Sequence, residues 1–199
     1  MSKLVTRLIF VIVNGPKYFL NWVLMKIFDF EPWHVSTLSS RPYCIDLVDY
    51  VNKSIGINGT VVELGCGLGE NLAHIKCLHR HGIDKSHEVL EAAKLKYYFT
   101  NIQFTEGSFD AVRGQKIDYL IAVNFLHDFD SPLVQEWFEI IIKNNNIMNI
   151  IVDELADDQY FRLHDFSFII PKAYQEKYVL SNNYNYSRSV RIFTRCPHG

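Results

Sequence analysis

The chain has 199 residues, of which 48% are hydrophobic, and its formal net charge is −2. A chain of this length is one domain by size and buries roughly 70% of its unfolded surface. No Lys/Arg-rich run is present, which argues against a protein that gains its affinity by neutralising many phosphates, so we expect no nucleic-acid partner. The cysteines show no zinc-binding spacing and indicate reduced thiols in a cytoplasmic protein.

Residues 1–28 are unusually apolar and fall into two runs, residues 8–13 and 18–28. Neither run reaches the ~20 apolar residues that a membrane-spanning helix requires, and the turn chemistry of residues 14–17 separates them. Two interpretations remain open: both segments pack on the domain as a helical lid, or both make peripheral contact with a membrane surface. The basic residues available to lipid headgroups are Lys3, Arg7, Lys17 and Lys26.

Residues 29–41 form a loop rich in side chains that can contact a ligand, and Pro42 then favours the start of a helix. An apolar stripe over residues 44–51 continues that helix until two glycines end it. We therefore predict an N-terminal helical extension over residues 1–58 and a second, larger unit over residues 59–199.

The sequence T-V-V-E-L-G-C-G-L-G-E over residues 60–70 combines a short buried strand, a glycine turn and the start of a helix over residues 70–77. In an open α/β sheet, this arrangement lets backbone N–H groups approach a bound small molecule. A pyrophosphate-binding fingerprint would read G-x-G-x-x-G, whereas this loop reads G-x-G-x-G between Glu63 and Glu70. Two carboxylates would repel a pyrophosphate and suit a ligand that carries an ammonium group.

The second predicted strand, residues 79–84, ends in Asp84, nineteen positions after Gly65. An acid ~20 residues beyond the glycine turn can accept hydrogen bonds from ribose hydroxyls. Asp84 therefore indicates an adenosine ligand without deciding which one. Ser86 is placed to cap the next helix, over residues 88–96.

Residues 101–110 predict the third strand with its exit loop, and residues 117–123 predict the fourth strand. The fourth is a nearly continuous apolar run, as expected of a central parallel strand, and N-F-L-H follows it at residues 124–127. Open α/β sheets bind ligands beyond the carboxyl ends of their strands, so we expect these four residues to face the reaction centre. A helix over residues 132–143 and a fifth strand over residues 147–152 follow.

The C-terminal third alternates charged and aromatic side chains over residues 160–168, which is not core periodicity and indicates a pocket wall. Two β-rich runs, residues 178–182 and 189–195, then predict a hairpin that closes a sheet of seven strands. Such a hairpin argues against the dinucleotide-binding fold, in which all strands are parallel.

The motifs E-L-G-C-G-L-G at residues 63–69 and G-I-D-K-S at residues 82–86 resemble those of the class I S-adenosylmethionine (SAM) methyltransferases. The resemblance implies an α/β fold, a three-layer Rossmann-like sheet of seven strands with the last strand antiparallel, plus the N-terminal helical extension. It also implies SAM as the cofactor, with its methionine half in the glycine loop. The implied cofactor-binding residues are Glu63, Gly65, Cys66, Gly67, Gly69, Asp84, Ser108, Phe109 and Asn124.

Two positions in this chain depart from motifs of the resembled family. An acid that often contacts adenine is replaced by Ser108, which leaves that contact open among Ser108, the Phe109 backbone and Asp110. The tetrad D/N-P-P-Y/F, typical of members that methylate the amino groups of nucleic-acid bases, is replaced by N-F-L-H. A nucleic-acid acceptor is therefore disfavoured.

A hydroxyl acceptor needs its proton removed, which suits a histidine whose pKa lies near neutrality, so His127 is the first candidate base. The alternative is that His127 only bonds the backbone and caps a turn. His164 and Asp165 form a second candidate acid/base pair.

The combination of Trp33-His34, Arg41-Pro42-Tyr43, the histidine after the fourth strand and His164-Asp165-Phe166 resembles small bacterial methyltransferases linked to polysaccharide or glycolipid assembly. This narrower resemblance implies O-methylation of a sugar or other small polar acceptor. The implied acceptor-binding residues are Trp33, His34, Arg41, Tyr43 and Arg162. The alternative functions are a nicotinamide-dependent oxidoreductase, NAD(P)-linked, and a non-catalytic subunit with the SAM-binding fold. A divalent cation held by Asp128, Asp153 and Glu154 is a further, less favoured alternative, and we predict no metal site.

Overall fold

The computed structural model describes residues 3–155, 163–180 and 188–197, and for residues 3–14 it describes the helical backbone alone. Seven strands form one sheet: β1 Thr60–Leu64, β2 His79–Asp84, β3 Ile102–Glu106, β4 Lys116–Ala122, β5 Asn146–Glu154, β6 Tyr174–Leu180 and β7 Ser189–Arg195. The described part also holds six α-helices: α1 Lys3–Phe28, α2 Pro42–Ser54, α3 Glu70–His74, α4 His87–Lys96, α5 Ser131–Asn144 and α6 Phe166–Ile169.

The strand order is β3-β2-β1-β4-β5-β7-β6, and β1 to β5 pair in parallel. Strand β7 lies between β5 and β6 and is antiparallel to both. The predicted seven-stranded Rossmann-like sheet with an antiparallel last strand is therefore confirmed.

Successive residues of the central strands point into two separate hydrophobic cores, because side chains alternate between the faces of a sheet. Val61 and Ile121 belong to the core that α2 and α4 cover. Val62 and Leu120, their neighbours in sequence, belong to the core that α5 and α6 cover. Burial on both faces explains why β4 and β5 read as near-continuous apolar runs, and it gives the three-layer arrangement.

Helix α1 runs without a break from Lys3 to Phe28, so the turn predicted at residues 14–17 is wrong. Proline disfavours the helical conformation of the residue before it, partly through a clash with that residue's Cβ. Here Gly15 precedes Pro16 and has no Cβ, which removes part of that clash. Within the described residues, no helix has both the length and the apolar character needed to cross a membrane.

The predicted extension over residues 1–58 packs into the same core as the sheet. Leu24 of α1 and Leu47 of α2 share a hydrophobic cluster with Val61 of β1 and Val190 of β7. The boundary between residues 58 and 59 stays a prediction, and the hydrophobic packing continues across it.

Several element boundaries differ from those expected of the sequence. Helix α3 ends at His74 and not at residue 77, because Ile75 takes an extended conformation and its N–H bonds the carbonyl of Leu72. Strand β5 runs on to Glu154, so the carboxylates expected after the strand belong to it. Residues 156–162 and 181–187, which include part of the predicted pocket wall and the hairpin turn, lie outside the described residues.

Candidate active site

A cavity of about 720 Å3 opens beyond the carboxyl ends of β1, β2 and β4. Because β1 has β2 on one side and β4 on the other, the cavity lies at the switch in strand order where open α/β sheets form a crevice. It brings together most of the site residues predicted from the sequence. Those that line it are Trp33, His34, Arg41, Glu63, Gly65, Cys66, Gly67, Asp84, Ser108, Phe109, Asn124 and His127.

The glycine loop after β1 requires residues without a Cβ at two of its positions. Gly65 and Gly67 have φ values of +64° and +51°, which L side chains rarely adopt. A Cβ on Gly65 would lie 2.6 Å from the Phe125 ring, and one on Gly67 would lie 2.8 Å from Nδ1 of His34. The two rings therefore pack directly on the loop backbone.

Gly69, also predicted to bind the cofactor, does not line the cavity. Its φ of +74° turns the chain into α3, and a Cβ there would lie 2.8 Å from the Phe104 ring. This glycine is needed for the turn and for packing against β3, and the prediction of ligand contact is not supported.

Glu63, near the carboxyl end of β1, is buried, and only one of its two carboxylate oxygens has a hydrogen-bond partner among the described residues. Its Oε1 accepts a hydrogen bond of 2.6 Å from Nδ2 of Asn71, while its Oε2 has no partner among the described residues. Burial raises the pKa of Glu63 to about 7, although the Asn71 bond and the charge of Arg41 act in the opposite direction.

Two further buried polar atoms in the cavity wall lack partners within the described part of the chain: Oδ1 of Asn71 and Nε of Arg41. With Glu63 Oε2 they make two unmatched acceptors and one unmatched donor. A buried polar group without a hydrogen bond is costly, so each such group in a folded protein calls for an explanation. A ligand with an ammonium and a carboxylate group would satisfy all three atoms.

Glu70, which the sequence placed beside the ligand's ammonium group, is already neutralised. It forms a buried ion pair with Lys96 and accepts hydrogen bonds from Nδ2 of Asn21 at 3.2 Å and from the Leu38 N–H at 3.4 Å. Burial alone would raise the pKa of Glu70, but the charge of Lys96 outweighs it and the pKa is lowered. Glu70 joins α1, α3 and α4, so Glu63 supplies the unmatched carboxylate oxygen.

Asp84 ends β2 and lies on the cavity wall, as predicted. Its Oδ2 accepts a hydrogen bond of 2.8 Å from the Gly67 N–H, and its Oδ1 accepts one of 3.0 Å from the Ser86 N–H. Each carboxylate oxygen can accept a second hydrogen bond, so Asp84 fixes the loop and can still bind hydroxyl groups of a ligand.

One part of the cavity wall is an aromatic cluster, of which the sequence indicated only Phe109. The rings of Phe109 and Trp137 stack with centroids 5.0 Å apart, and Phe129 packs edge-on against Trp137 at 4.8 Å. Nζ of Lys85 lies 5.2 Å from the centre of the Trp137 ring. Together with Ser108, these side chains form an apolar wall suited to a flat aromatic ring.

The other end of the cavity is polar, and Asn124 lies at its centre. Oδ1 of Asn124 accepts hydrogen bonds from the Tyr43 hydroxyl at 2.9 Å and from Nη1 of Arg188 at 3.2 Å. Arg188 also forms a buried ion pair with Asp153 and lies over the Tyr43 ring, 4.5 Å from its centre. Tyr43 does not line the cavity, and it supports Asn124 and Arg188, which do.

His127 lies on the cavity wall in the 3₁₀ turn Leu126–Asp128. Burial lowers its pKa, although the carboxylates of Asp153 and Asp128 act in the opposite direction. A lowered pKa keeps the imidazole neutral at pH 7, which is the form that can accept a proton.

His164 and Asp165 are not in the cavity, so the structure does not support a second acid/base pair. The ring nitrogens of His164 are 2.9 Å from Oγ of Ser131 and 2.9 Å from the Leu126 carbonyl oxygen. The buried ring therefore links these two groups by hydrogen bonds and has a structural role. Asp165 caps α6 by accepting a hydrogen bond from the Ser167 N–H. Arg162, predicted to bind the acceptor, lies outside the described residues.

Within the described ranges, no group of three or more His, Cys, Asp or Glu side chains is arranged to hold a metal ion. Of the carboxylates considered for a cation, Asp153 is paired with Arg188 and Glu154 with Arg191.

Sequence and structure comparisons agree with this geometry. Residues 61–144 match the family model of a methyltransferase domain. No curated protein matches the chain. The segment matched by the family model contains β1 to β4 and α3 to α5, and so it includes the glycine loop, Asp84 and His127.

Solved structures with a similar fold are methyltransferases. One is magnesium protoporphyrin IX methyltransferase (ChlM) from Synechocystis with bound SAM, at 14% identity and a TM-score of 0.67, covering 94% of this chain and 96% of that one. Another is the N-methyltransferase NodS from Bradyrhizobium japonicum with S-adenosylhomocysteine (SAH), at 13% identity and a TM-score of 0.68, covering 88% and 98%. A third was solved with the Haloferax volcanii Trm112 methyltransferase activator, at 11% identity and a TM-score of 0.64, covering 79% and 91%.

Residues 61–144 thus match a methyltransferase domain, and the chain has the fold of the class I SAM-dependent methyltransferases. The nicotinamide-dependent oxidoreductase is not favoured, because the family match is to a methyltransferase domain and β7 is antiparallel in the sheet.

Proposed function

We propose that the cavity binds the methionine half of SAM between Glu63, Asn71 and Arg41. The observation that carries this proposal is the set of three partnerless buried atoms on those residues. The α-ammonium group would donate to Glu63 and Asn71, and the α-carboxylate would accept from Nε of Arg41. A pyrophosphate would offer acceptors only and would leave both unmatched oxygens unsatisfied.

The adenosine half would extend towards the carboxyl ends of β2 and β3. Asp84 would accept hydrogen bonds from the ribose hydroxyls, using the lone pairs that the loop N–H groups leave available. The adenine ring would lie against the aromatic wall of Phe109, Phe129 and Trp137, with Ser108 at its edge. SAM and SAH in the similar ChlM and NodS structures support this choice of cofactor.

We propose that the reaction is O-methylation of a sugar or other small polar acceptor. The acceptor oxygen would attack the methyl carbon in line with the C–S bond, whose electron pair passes to sulfur to give SAH. The hydroxyl proton would pass to the neutral imidazole of His127. Asn124 and Arg188, on the cavity wall with His127, would hydrogen-bond the other hydroxyl groups of the acceptor.

The N-terminal extension is proposed to act as a lid, since Trp33, His34 and Arg41 form part of the cavity wall. The side of α1 that faces away from the sheet would be available for peripheral contact with a membrane. A cytoplasmic location belongs to the same proposal: all four cysteines are free thiols, and three of them are buried.

Isothermal titration calorimetry tests the cofactor assignment. We expect SAM and SAH to bind the wild-type chain with one site each, and NADH not to bind. Glu63→Gln should weaken SAH binding by roughly 10- to 100-fold, which corresponds to the loss of one charge-assisted hydrogen bond. Glu91→Gln, an exposed glutamate on α4, is the matched control and should bind SAH as the wild type does. NADH binding without SAH binding would overturn the proposal.

A further inference from the structure

The structure describes the side chains of residues 15–28 of α1, and these form two faces of different character. Asn21, Leu24 and Met25 face the domain and are buried. The opposite side is apolar and in solvent, with Phe19 62% exposed and Ile27 67% exposed. We call this side the outer face of α1. It consists of Tyr18, Phe19, Leu20, Trp22 and Ile27, together with Lys26.

Polar contacts on the inner side fix the rotation of α1, so the outer face cannot turn inwards. Nδ2 of Asn21 donates to the Val35 carbonyl at 3.1 Å and to Oε1 of Glu70 at 3.2 Å, and Nζ of Lys96 donates to Oδ1 of Asn21 at 2.7 Å. Glu70 and Lys96 belong to α3 and α4, and Val35 belongs to the segment that follows α1. The exposure of the outer face is therefore built into the packing of α1.

Two further exposed apolar groups lie in, or directly after, segments that contact α1. Lys96, which contacts α1, is followed by Tyr98 and Phe99, and Phe99 is 98% exposed. Trp33 lies in the segment that follows α1. Its side chain is 67% exposed and also lines the cavity. An apolar surface of this extent on a protein marks an interaction site.

The charges of α1 indicate what covers this surface. Over residues 15–28, α1 contains no Asp or Glu and two exposed lysines, Lys17 and Lys26, of which Lys26 lies on the outer face. Helices that lie in a membrane interface combine basic residues with Trp, Phe and Leu on the inserted side. On the outer face, Nζ of Lys26 lies 5.9 Å from the Trp22 ring, so the cation extends along the indole as lysines do at a lipid boundary.

We propose that the outer face of α1 docks on the surface of a lipid bilayer, with the helix parallel to the membrane and the mouth of the cavity beside it at Trp33. The apolar side chains enter the interface, and Lys26 on the same face attracts anionic headgroups. The exposed Asp29 and Glu31 follow α1 and reduce that attraction, so apolar insertion contributes most of the binding. This docking goes beyond methyl transfer and does not depend on the identity of the acceptor.

Vesicle flotation with the full-length protein tests the docking. We expect the wild type to float with vesicles of phosphatidylcholine and phosphatidylglycerol, and to a smaller extent with phosphatidylcholine alone. The double variant Phe19→Gln/Ile27→Gln should lose about tenfold in vesicle partition, since it removes two exposed apolar side chains. Phe168→Gln, which changes an 82% exposed phenylalanine on α6, is the matched control and should float as the wild type does.

Three outcomes would overturn the docking: no flotation of the wild type with either vesicle, equal flotation of the double variant and the wild type, or an equal loss in Phe168→Gln. The alternative occupant of the outer face is a second copy of this chain, and analytical ultracentrifugation without lipid tests for it. A wild-type dimer that the double variant converts to monomer, with no flotation, would assign the face to self-association. SAH calorimetry on the same variants keeps the two proposals distinct, because the double variant should bind SAH with unchanged affinity.

Discussion

At the scale of single residues, Glu63 shows how burial prepares a side chain for a ligand. One carboxylate oxygen is bound by Asn71, and the other has no partner among the described residues. Burial favours the protonated form, so the pKa of Glu63 rises to about 7 in the empty cavity. A ligand ammonium group would favour the ionised form, and binding would then release a proton.

This linkage predicts that SAH affinity depends on pH. Because the pKa of Glu63 without ligand is about 7, Glu63 is protonated below pH 7 and must lose its proton to pair with the ammonium group. Affinity should therefore fall by up to about tenfold per pH unit below 7 and level off above about pH 8. Calorimetry from pH 5.5 to 8.5 measures this. Glu63→Gln should remove most of the dependence, and the same slope in that variant would contradict the assignment.

His127 carries a second prediction at this scale. His127→Ala should lower turnover by about 10²- to 10⁴-fold, because the proton of the acceptor hydroxyl loses its base, while SAH affinity changes by less than about twofold. Turnover is measured as the release of SAH, with a panel of sugars that carry free hydroxyl groups as the acceptors. His164→Ala is the comparison variant: it removes the buried hydrogen bonds of that ring and should lower the melting temperature. Loss of SAH affinity in His127→Ala would indicate a structural role.

At the scale of elements, local sequence signals identified every strand and most of the helices. Apolar runs marked β1, β4 and β5, and Ser86 caps α4 as predicted, since its side chain accepts a hydrogen bond from the Val89 N–H. The break predicted in α1 was wrong because Gly15, which favours a turn, also lacks the Cβ that would clash with Pro16 in a helix. The ion pair of Glu70 could not be predicted: its partner Lys96 lies on another helix, and nothing in the local sequence of α3 indicates that pairing.

The ion pair of Glu70 and Lys96 predicts how strongly α1, α3 and α4 depend on each other. Lys96→Met should lower the free energy of unfolding by about 3–5 kcal/mol, because it leaves a carboxylate buried without its cation. The double variant Glu70→Gln/Lys96→Met should recover much of that loss, since no charge remains buried. Urea denaturation measures both. If the single and double variants are equally destabilised, the cost comes from packing and not from the unpaired charge.

At the scale of the whole molecule, the cavity depends on contacts between residues far apart in the sequence. The loop after β1, Asp84 and the residues after β4 could be predicted, because parallel strands place their carboxyl ends at one edge of the sheet. Arg188 could not be predicted, since it reaches Asn124 only after β7 inserts between β5 and β6. Trp137 could not be predicted as a site residue either, because only the packing of α5 on the sheet brings it to the cavity wall.

Because the cavity is lined by both the extension and the sheet, a ligand that bridges them should stabilise the whole fold. A ligand that binds only the folded state at a concentration 100 times its Kd adds about 2.7 kcal/mol to the free energy of unfolding. For a chain of this size that is a rise in Tm of roughly 5–10 °C. Differential scanning calorimetry with SAH should show one transition that moves as a unit. NADH at equal concentration should leave Tm unchanged, and Glu63→Gln should show a smaller rise with SAH. A transition that splits in two, with only one part responding to SAH, would show that the extension folds apart from the sheet and does not complete the site.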